Sequence, residues 1–556
     1  MTTLVINNFA GMTPRVSPRL LGEANAQAAT NCDFRSGNLA NLLGVSQVMN
    51  LAKAPPVKSI HRHIQNESDE TKYWFNWTGN VDVVTGLQAE DTEEFTYFTG
   101  DVYPKMTFFT AATTGGSDYP VVAYQLGTPE PAAAPIAAVT VAGTGDDELR
   151  YYVYTYVAKY LSGARVFEGP PSAPEGVVTK AVGSTVRVSG MGVAQPGPAA
   201  YPYTGAYIIT HKRIYRSLAG STEEFFYVGE VAIGTDQFDD DLASDVVAQQ
   251  GVLNSGLYDP PPLGLKGLIA INNSILAGFD GNDWYCSELN QPHAWPRDYR
   301  KSLEAQIVAH RAIGGNAVVV ATKTIPHIIS GTRPEAMSRE PLSSFPQACV
   351  AKASMVSGLG GAWYASPDGL CLVGPGVQRV VTDGIALRSQ WQAYKPESMH
   401  AYWFEGLYIA FFDTGSRTGG LVFDPATNSL FETDVYATAG HVDPIRDALY
   451  LAVTDTGVAK LKKWGAGTAL SKTWLSRQYQ LRHPMNMAYG RVIADTYPLT
   501  FKTIADGVTR SYTVTSANEF ALHAGFIVQN WAMEVTGGGT IHQMAISDDI
   551  EELAQI

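Results

Sequence analysis

Cysteine is scarce in this chain of 556 residues: there are four, at Cys32, Cys286, Cys349 and Cys371, and no two form a C-x-x-C pair. That argues against a disulfide frame or a zinc site and predicts reduced, structural thiols. Charge is scarce as well, at 17% of residues, with 39 basic side chains set against 53 acidic ones. The net charge of −14 argues against a protein that grips nucleic acid by neutralising phosphates. It leaves room for one past which DNA slides unheld. No apolar run approaches the ~20 residues of a membrane helix. The opening, Met1 to Phe9, has neither the basic nor the apolar region of a signal peptide. These absences predict a soluble protein made in a cytosol. A P-loop and a G-x-S-x-G nucleophile elbow are missing too, since Ser354 and Ser366 lack the flanking glycines. Gly190-Met191-Gly192 fails the dinucleotide pattern at its third glycine. No catalytic residue, cofactor site or metal site is assigned.

What the chain has in quantity is turn and strand chemistry: 53 Gly, 31 Pro and 28 Tyr. Its length predicts two to four domains. Between Gly267 and Trp464 short apolar strands are broken by tight turns and recur about every 40 to 50 residues, the period of four-stranded propeller blades. Asn272-Asn273, Asp368-Gly369 and Glu405-Gly406 each sit between two apolar runs, a hairpin signal. The expected fold class is all-β: a β-propeller with an inserted β-sandwich and a C-terminal β-unit.

Residues 1–57 read as an extended N-terminal arm with little core of its own, in which Glu23 to Asn31 is Ala-rich enough for one short helix. Residues 58–128 read as first propeller strands that complete the ring of the main propeller, 259–465. Between them, 129–258 opens on the stiff linker Pro129 to Pro135 and continues as short alternating strands. The Tyr-rich run Tyr151 to Val157, the bend Glu168 to Pro174 and the late Tyr215-Arg216-Ser217 strand resemble a fibronectin type III module. Residues 466–556 read as a small β domain ending in an acidic tail.

Several constellations have residue types that could carry chemistry. His61 and His63 stand on one strand face as a possible metal pair, yet no third ligand has useful spacing, and a solvated strand is the expectation. Asp239-Asp240-Asp241 lacks the Gly and Glu an EF-hand loop requires. Asp280 to Trp284 and Ser366 to Gly369 approach the S-x-D-x-G-x-x-W turn of sialidases but miss its spacing. The enzymatic rival is therefore a carbohydrate-binding or glycan-hydrolysing propeller with paired carboxylates.

The two ends carry a further likeness. Phe9-Ala10-Gly11-Met12-Thr13-Pro14, then Leu20-Leu21, the Ala-rich run to Asn31, and Gly37-Asn38-Leu39 with Leu43-Gly44 resemble the opening of short-tailed phage nozzle proteins, the tail tubular protein B family. Asn41 stands near where that pattern has proline. Ala494-Asp495, Trp531, Ile541 to Ser547 and Glu552-Leu553 resemble the family's close. The resemblance implies a non-enzymatic virion protein, assembled in the bacterial host cytoplasm. It would form a homo-oligomeric, hexameric ring below a tail adaptor, carry a tail fibre or spike, and touch double-stranded DNA only in passing. An acidic bore suits that role, because it repels the duplex. Glu90, Asp91, Glu93, Glu94, Asp239, Asp240, Asp241, Asp548 and Asp549 are the candidates for channel or gate. Phe9, Pro14, Arg15 and Arg19 are the candidates for docking on the adaptor or a neighbour.

Overall fold

The structure, a computed structural model, describes residues 2–63, 68–87, 91–192, 209–218, 221, 223–271, 274–523 and 525–555. Seven small antiparallel sheets follow one another around an axis. The first is the pair Ser59–Arg62 and Trp74–Trp77. The second runs Asp82–Thr85, Thr96–Thr99, Lys105–Thr107, Tyr124–Gln125. The third begins at Lys266–Ile271, the fourth at Ile307–Ala312, the fifth at Val356–Gly358, the sixth at His400–Phe404 and the seventh at Ala439–Asp443. The opening strand of each sheet touches that of the next, and His61 of the first reaches Thr85 of the second, which closes the ring. The molecule is an all-β propeller of seven blades.

Why these residues make blades is visible in their second strands. Ile275–Asp280, Ala317–Thr322, Gly361–Ala365 and Leu407–Asp413 are buried almost throughout. Each is covered on both faces by neighbouring blades, so the sequence shows a continuous apolar run instead of alternation. Glu405 and Gly406 turn with φ of 50° and 77°, the left-handed pair that a two-residue hairpin needs. Asp368-Gly369 turns differently, with Ser366 Oγ accepting from both backbone N–H groups at 3.2 Å. Asn272-Asn273 lies outside the described residues.

The N-terminal stretch is not a separate arm. Ser46–Asn50 pairs with Val458–Lys463 as the fourth strand of the seventh blade. Thr3–Ile6 pairs with Ile541–Ser547. Ala28–Thr30 is a strand, where alanine content predicts helix. It pairs parallel with Ser429–Thr433 at the edge of the sixth blade and antiparallel with Lys472–Leu475 of the C-terminal unit, fusing the two into one ten-stranded sheet. The partners on both sides outweigh local helix preference.

The insertion is a two-sheet sandwich. Ile136–Val141, Thr185–Ser189 and Phe238–Asp240 form one layer, and five strands built around the long Thr144–Tyr160 form the other. Tyr152, Tyr154, Tyr156, Val186, Val188, Ile214 and Phe226 fill its core. Tyr160 and Phe167 join Phe95, Leu268 and Trp295 in a second apolar cluster that seats the sandwich on the second and third blades.

Candidate functional site

The opening strands of the blades bring two groups of titratable side chains to the propeller axis. At one end a cavity of about 150 Å³ is lined by Lys58, Ser59, Asp82, Arg311, Lys352 and Tyr402, among others. Lys352 forms an ion pair with Asp82, whose carboxylate also accepts from the Gly267 N–H at 3.0 Å. Arg311 donates to the His310 carbonyl at 3.1 Å. Burial holds its guanidinium below the usual range, with the Asp82 charge pulling the other way. Tyr402 and His400 share a hydrogen bond of 3.1 Å between hydroxyl and Nδ1. Asp82 is the one carboxylate among the described residues lining this cavity, so the carboxylate pair of a glycan-cleaving propeller is not found here.

At the other end a cavity of about 590 Å³ is lined by His61, Arg62, Asp91, Glu94, His441 and Ile445, among others. His61 and His63 do share a strand face, as their spacing predicts, and both rings lie against Phe75. His63 is enclosed and His61 only partly exposed at the cavity wall, which corrects the expectation of a solvated strand. His61 meets His441 edge to face at 4.9 Å and has Thr85 Oγ1 2.9 Å from its Nε2. Burial, then the neighbouring His441 and His63 charges, push its pKa well below that of a free imidazole. His441 is pushed down to about 4, chiefly by burial. His63 is fully enclosed, with Glu94 Oε2 3.3 Å from its Nδ1. Arg62 and Asp443 form a fully buried ion pair at 3.2 Å beneath the cavity. Among the described residues no group of three or more His, Cys, Asp or Glu side chains is placed to hold a metal ion. All four cysteines are buried and unpaired.

The nine acidic residues proposed for a bore do not gather in one place. Glu90 lies outside the described residues. Asp91 accepts from the Phe95 N–H at 2.8 Å, and Glu93 accepts from Thr110 Oγ1 at 2.9 Å. Asp239 is paired with Arg187 at 2.7 Å on the sandwich surface, and Asp241 is exposed beside it. Asp240 is wholly buried, bonded to Arg216 and the Tyr152 hydroxyl at 2.7 Å each, and so cannot line a channel. Asp548 accepts from the Thr2 N–H, while Asp549 caps the helix Ile550–Ala554 by accepting from the Glu551 N–H.

The proposed docking residues are likewise engaged within the chain. Phe9 is buried, edge-on to Trp474 at 5.1 Å, and Trp474 Nε1 donates to the Ala10 carbonyl at 3.0 Å. Phe9 is therefore not a docking residue. Gly11 lies so close to the sixth blade that an added Cβ would stand 2.5 Å from the Leu430 nitrogen. The Pro14 carbonyl accepts from Gln390, Arg15 binds the carbonyl and carboxylate of Asp383, and the Arg19 carbonyl accepts from Arg477. What the sequence reading missed is the axial set Lys58, Arg311 and Lys352. These stand singly on three blades, so no local spacing could have joined them.

No family model matches the chain, and no curated protein matches it. Among solved structures it is similar to virginiamycin B lyase from Staphylococcus aureus, at 9% identity over 57% of this chain and 99% of that one, with a TM-score of 0.25. TolB from Acinetobacter baumannii matches at 10% identity over 60% and 78%, also with a TM-score of 0.25. The N-terminal domain of Nup159 matches at 7% identity over 74% and 99%, with a TM-score of 0.24. Likeness at this level says nothing of activity or partners.

Proposed function

We propose that this chain is a structural subunit of a short-tailed phage tail nozzle. Copies of it would assemble into a ring below the adaptor and leave a bore for the ejected genome. One observation carries the reading: the two stretches that resemble the tail tubular protein B family, separated by most of the chain, lie together in space. Leu39 of the first stretch and Ile541 of the second exchange backbone hydrogen bonds of 3.0 Å. A likeness confined to the chain ends is thereby a likeness of one folded unit.

The bore in this reading lies between copies. The cavity at the basic end of the propeller axis, about 150 Å³, holds a few water-sized volumes, each about 30 Å³. That is far too little for a duplex. The sandwich offers a surface for a neighbour: Val141, Val178 and Val182 are 52%, 59% and 63% exposed on two edge strands, Ile136–Val141 and Glu175–Val182. Exposed apolar side chains of this kind are natural sites for a neighbour. The net charge of −14 suits a wall past which a polyanion slides. Mass photometry and negative-stain imaging, with and without the tail adaptor, test the reading. A closed ring without oligosaccharide turnover is expected. A single-chain species that binds or cleaves glycans in the presence of adaptor would overturn it.

A further inference from the structure

The charge at the basic end of the propeller axis runs against the charge of the whole chain. Lys58, Arg311 and Lys352 come from three different blades and converge on one carboxylate, Asp82. The Asp82–Lys352 ion pair settles two of these four charges. Asp82 Oδ2 also accepts from the Gly267 N–H, and the Asp82 charge offsets the dehydration of Arg311 only in part. The remainder is two positive charges facing a concave space. Lys58 is exposed and keeps its water, so the cost of a cation short of its counter-charge falls on the partly buried Arg311.

Arg311 has donors left to give. One N–H goes to the His310 carbonyl, and none of its nitrogens is among the enclosed donors that lack a partner, so the others open onto the cavity. A guanidinium fork matches two oxygens of an oxyanion at once. The ammonium groups of Lys58 and Lys352 supply further donors as point charges. Dehydration already weakens the charged form of Arg311, and a bound anion would restore it. The volume, about 150 Å³, suits one tetrahedral ion with a little water.

We propose that the axial cavity of the propeller binds a tetrahedral oxyanion, phosphate or sulfate in type, held by Arg311 with Lys58 and Lys352. This site is independent of the nozzle reading and would stand if that reading fell. The same chemistry could belong to a free ion or to a phosphate group on a larger molecule. Inorganic phosphate and glycerol 2-phosphate, tested in parallel, tell the two apart, because an enclosed site takes the first alone.

Thermal unfolding of the full chain, titrated at constant ionic strength with sodium chloride as balance, is the test. A ligand that binds only the folded state raises the midpoint in a saturable way. Inorganic phosphate and sulfate are expected to do so, while acetate and chloride do not. Arg311→Gln is expected to raise the half-saturating phosphate concentration about tenfold or more, the loss of a charged hydrogen bond. Lys58→Gln, at an exposed position, is expected to weaken binding by a smaller factor and keeps the test sound if the Arg311 variant fails to fold. Equal responses to phosphate and acetate at matched ionic strength would overturn the proposal. So would an Arg311→Gln chain that folds and titrates like the parent, or an unchanged half-saturation in Lys58→Gln.

Discussion

His310 is enclosed with its two ring nitrogens already assigned by their neighbours. Trp284 Nε1 donates to Nδ1 at 3.1 Å, and Nε2 lies against the Gly267 carbonyl, to which it must donate. A second proton would sit on Nδ1 and face the indole N–H, donor against donor. Burial pushes His310 and His293 down to about 3. The unfolded chain therefore takes up these protons first, below about pH 6.5. Their contribution to stability is whole above that pH and drains away as pH falls toward 3, at about 1.4 kcal/mol per pH unit for each ring. The carboxylates held low by their partners against the pull of burial, Glu148 by the Ser244 hydroxyl and Arg150 and Glu230 by Lys159 and Arg213, act in the same sense. They lose their contribution only below their usual range. Urea midpoints measured at pH 7.5, 6.0 and 5.0 should decline steadily, and a flat profile down to pH 4.5 would contradict the histidine account. The pair Arg216–Asp240 sets a second expectation at this scale. Both side chains are fully buried, and Tyr152 and the Leu242 N–H complete the shell of the carboxylate. Asp240→Asn should destabilise the sandwich by about 3–5 kcal/mol, because it leaves a buried guanidinium without its counter-charge. Circular dichroism in urea reads that loss.

Between Phe9 and Met12 the chain is pinned to two units at once. Phe9 reaches Trp474 of the C-terminal unit, and the Met12 N–H donates to the Leu430 carbonyl of the sixth blade at 2.8 Å. The glycine between them allows that approach, since any Cβ would overlap Leu430 backbone. Gly11→Ala should cost about 1–3 kcal/mol through overpacking. Phe9→Ala should cost about 3–5 kcal/mol. Both should open residues 10–40 to protease before the propeller melts, so limited proteolysis with mass spectrometry of the fragments checks them. This segment also marks the limit of what sequence alone discloses. The blades were legible because each second strand writes itself as an apolar run between turn residues. The hairpin at Glu405-Gly406 was legible because only certain residues tolerate its backbone. Ser46–Asn50, by contrast, has no apolar run and no alternation. It is a strand only because Val458–Lys463 presents it with an unfilled edge. Ala28–Thr30 is extended for the same reason. Partners about 400 residues away leave no local trace, and the same holds for the cations at the axis.

At the scale of the whole molecule the sandwich stands on the propeller with Val141, Val178 and Val182 exposed along its edge strands. If those edges meet a neighbour in a ring, Val178→Glu with Val182→Glu should abolish ring formation while leaving the melting temperature of the single chain within a few degrees. Mass photometry and calorimetry on the same sample separate the two effects. A ring that survives the double change would move the subunit contact elsewhere on the surface. The acidic residues give no comparable handle. Those described are spread over the second blade, the sandwich and the C-terminal unit, and most already answer a donor of their own chain.

Thr3 pairs with Ser547, and Ala28–Thr30 waits on strands that begin at Ser429 and Lys472. During synthesis, then, these strands must wait for partners made about 400 to 540 residues later. A chain cut short before Lys472–Leu475 would leave Phe9 without Trp474, and one cut before Ile541–Ser547 would leave Leu39 without its strand partner. Such truncated copies would carry exposed apolar surface that the folded chain covers.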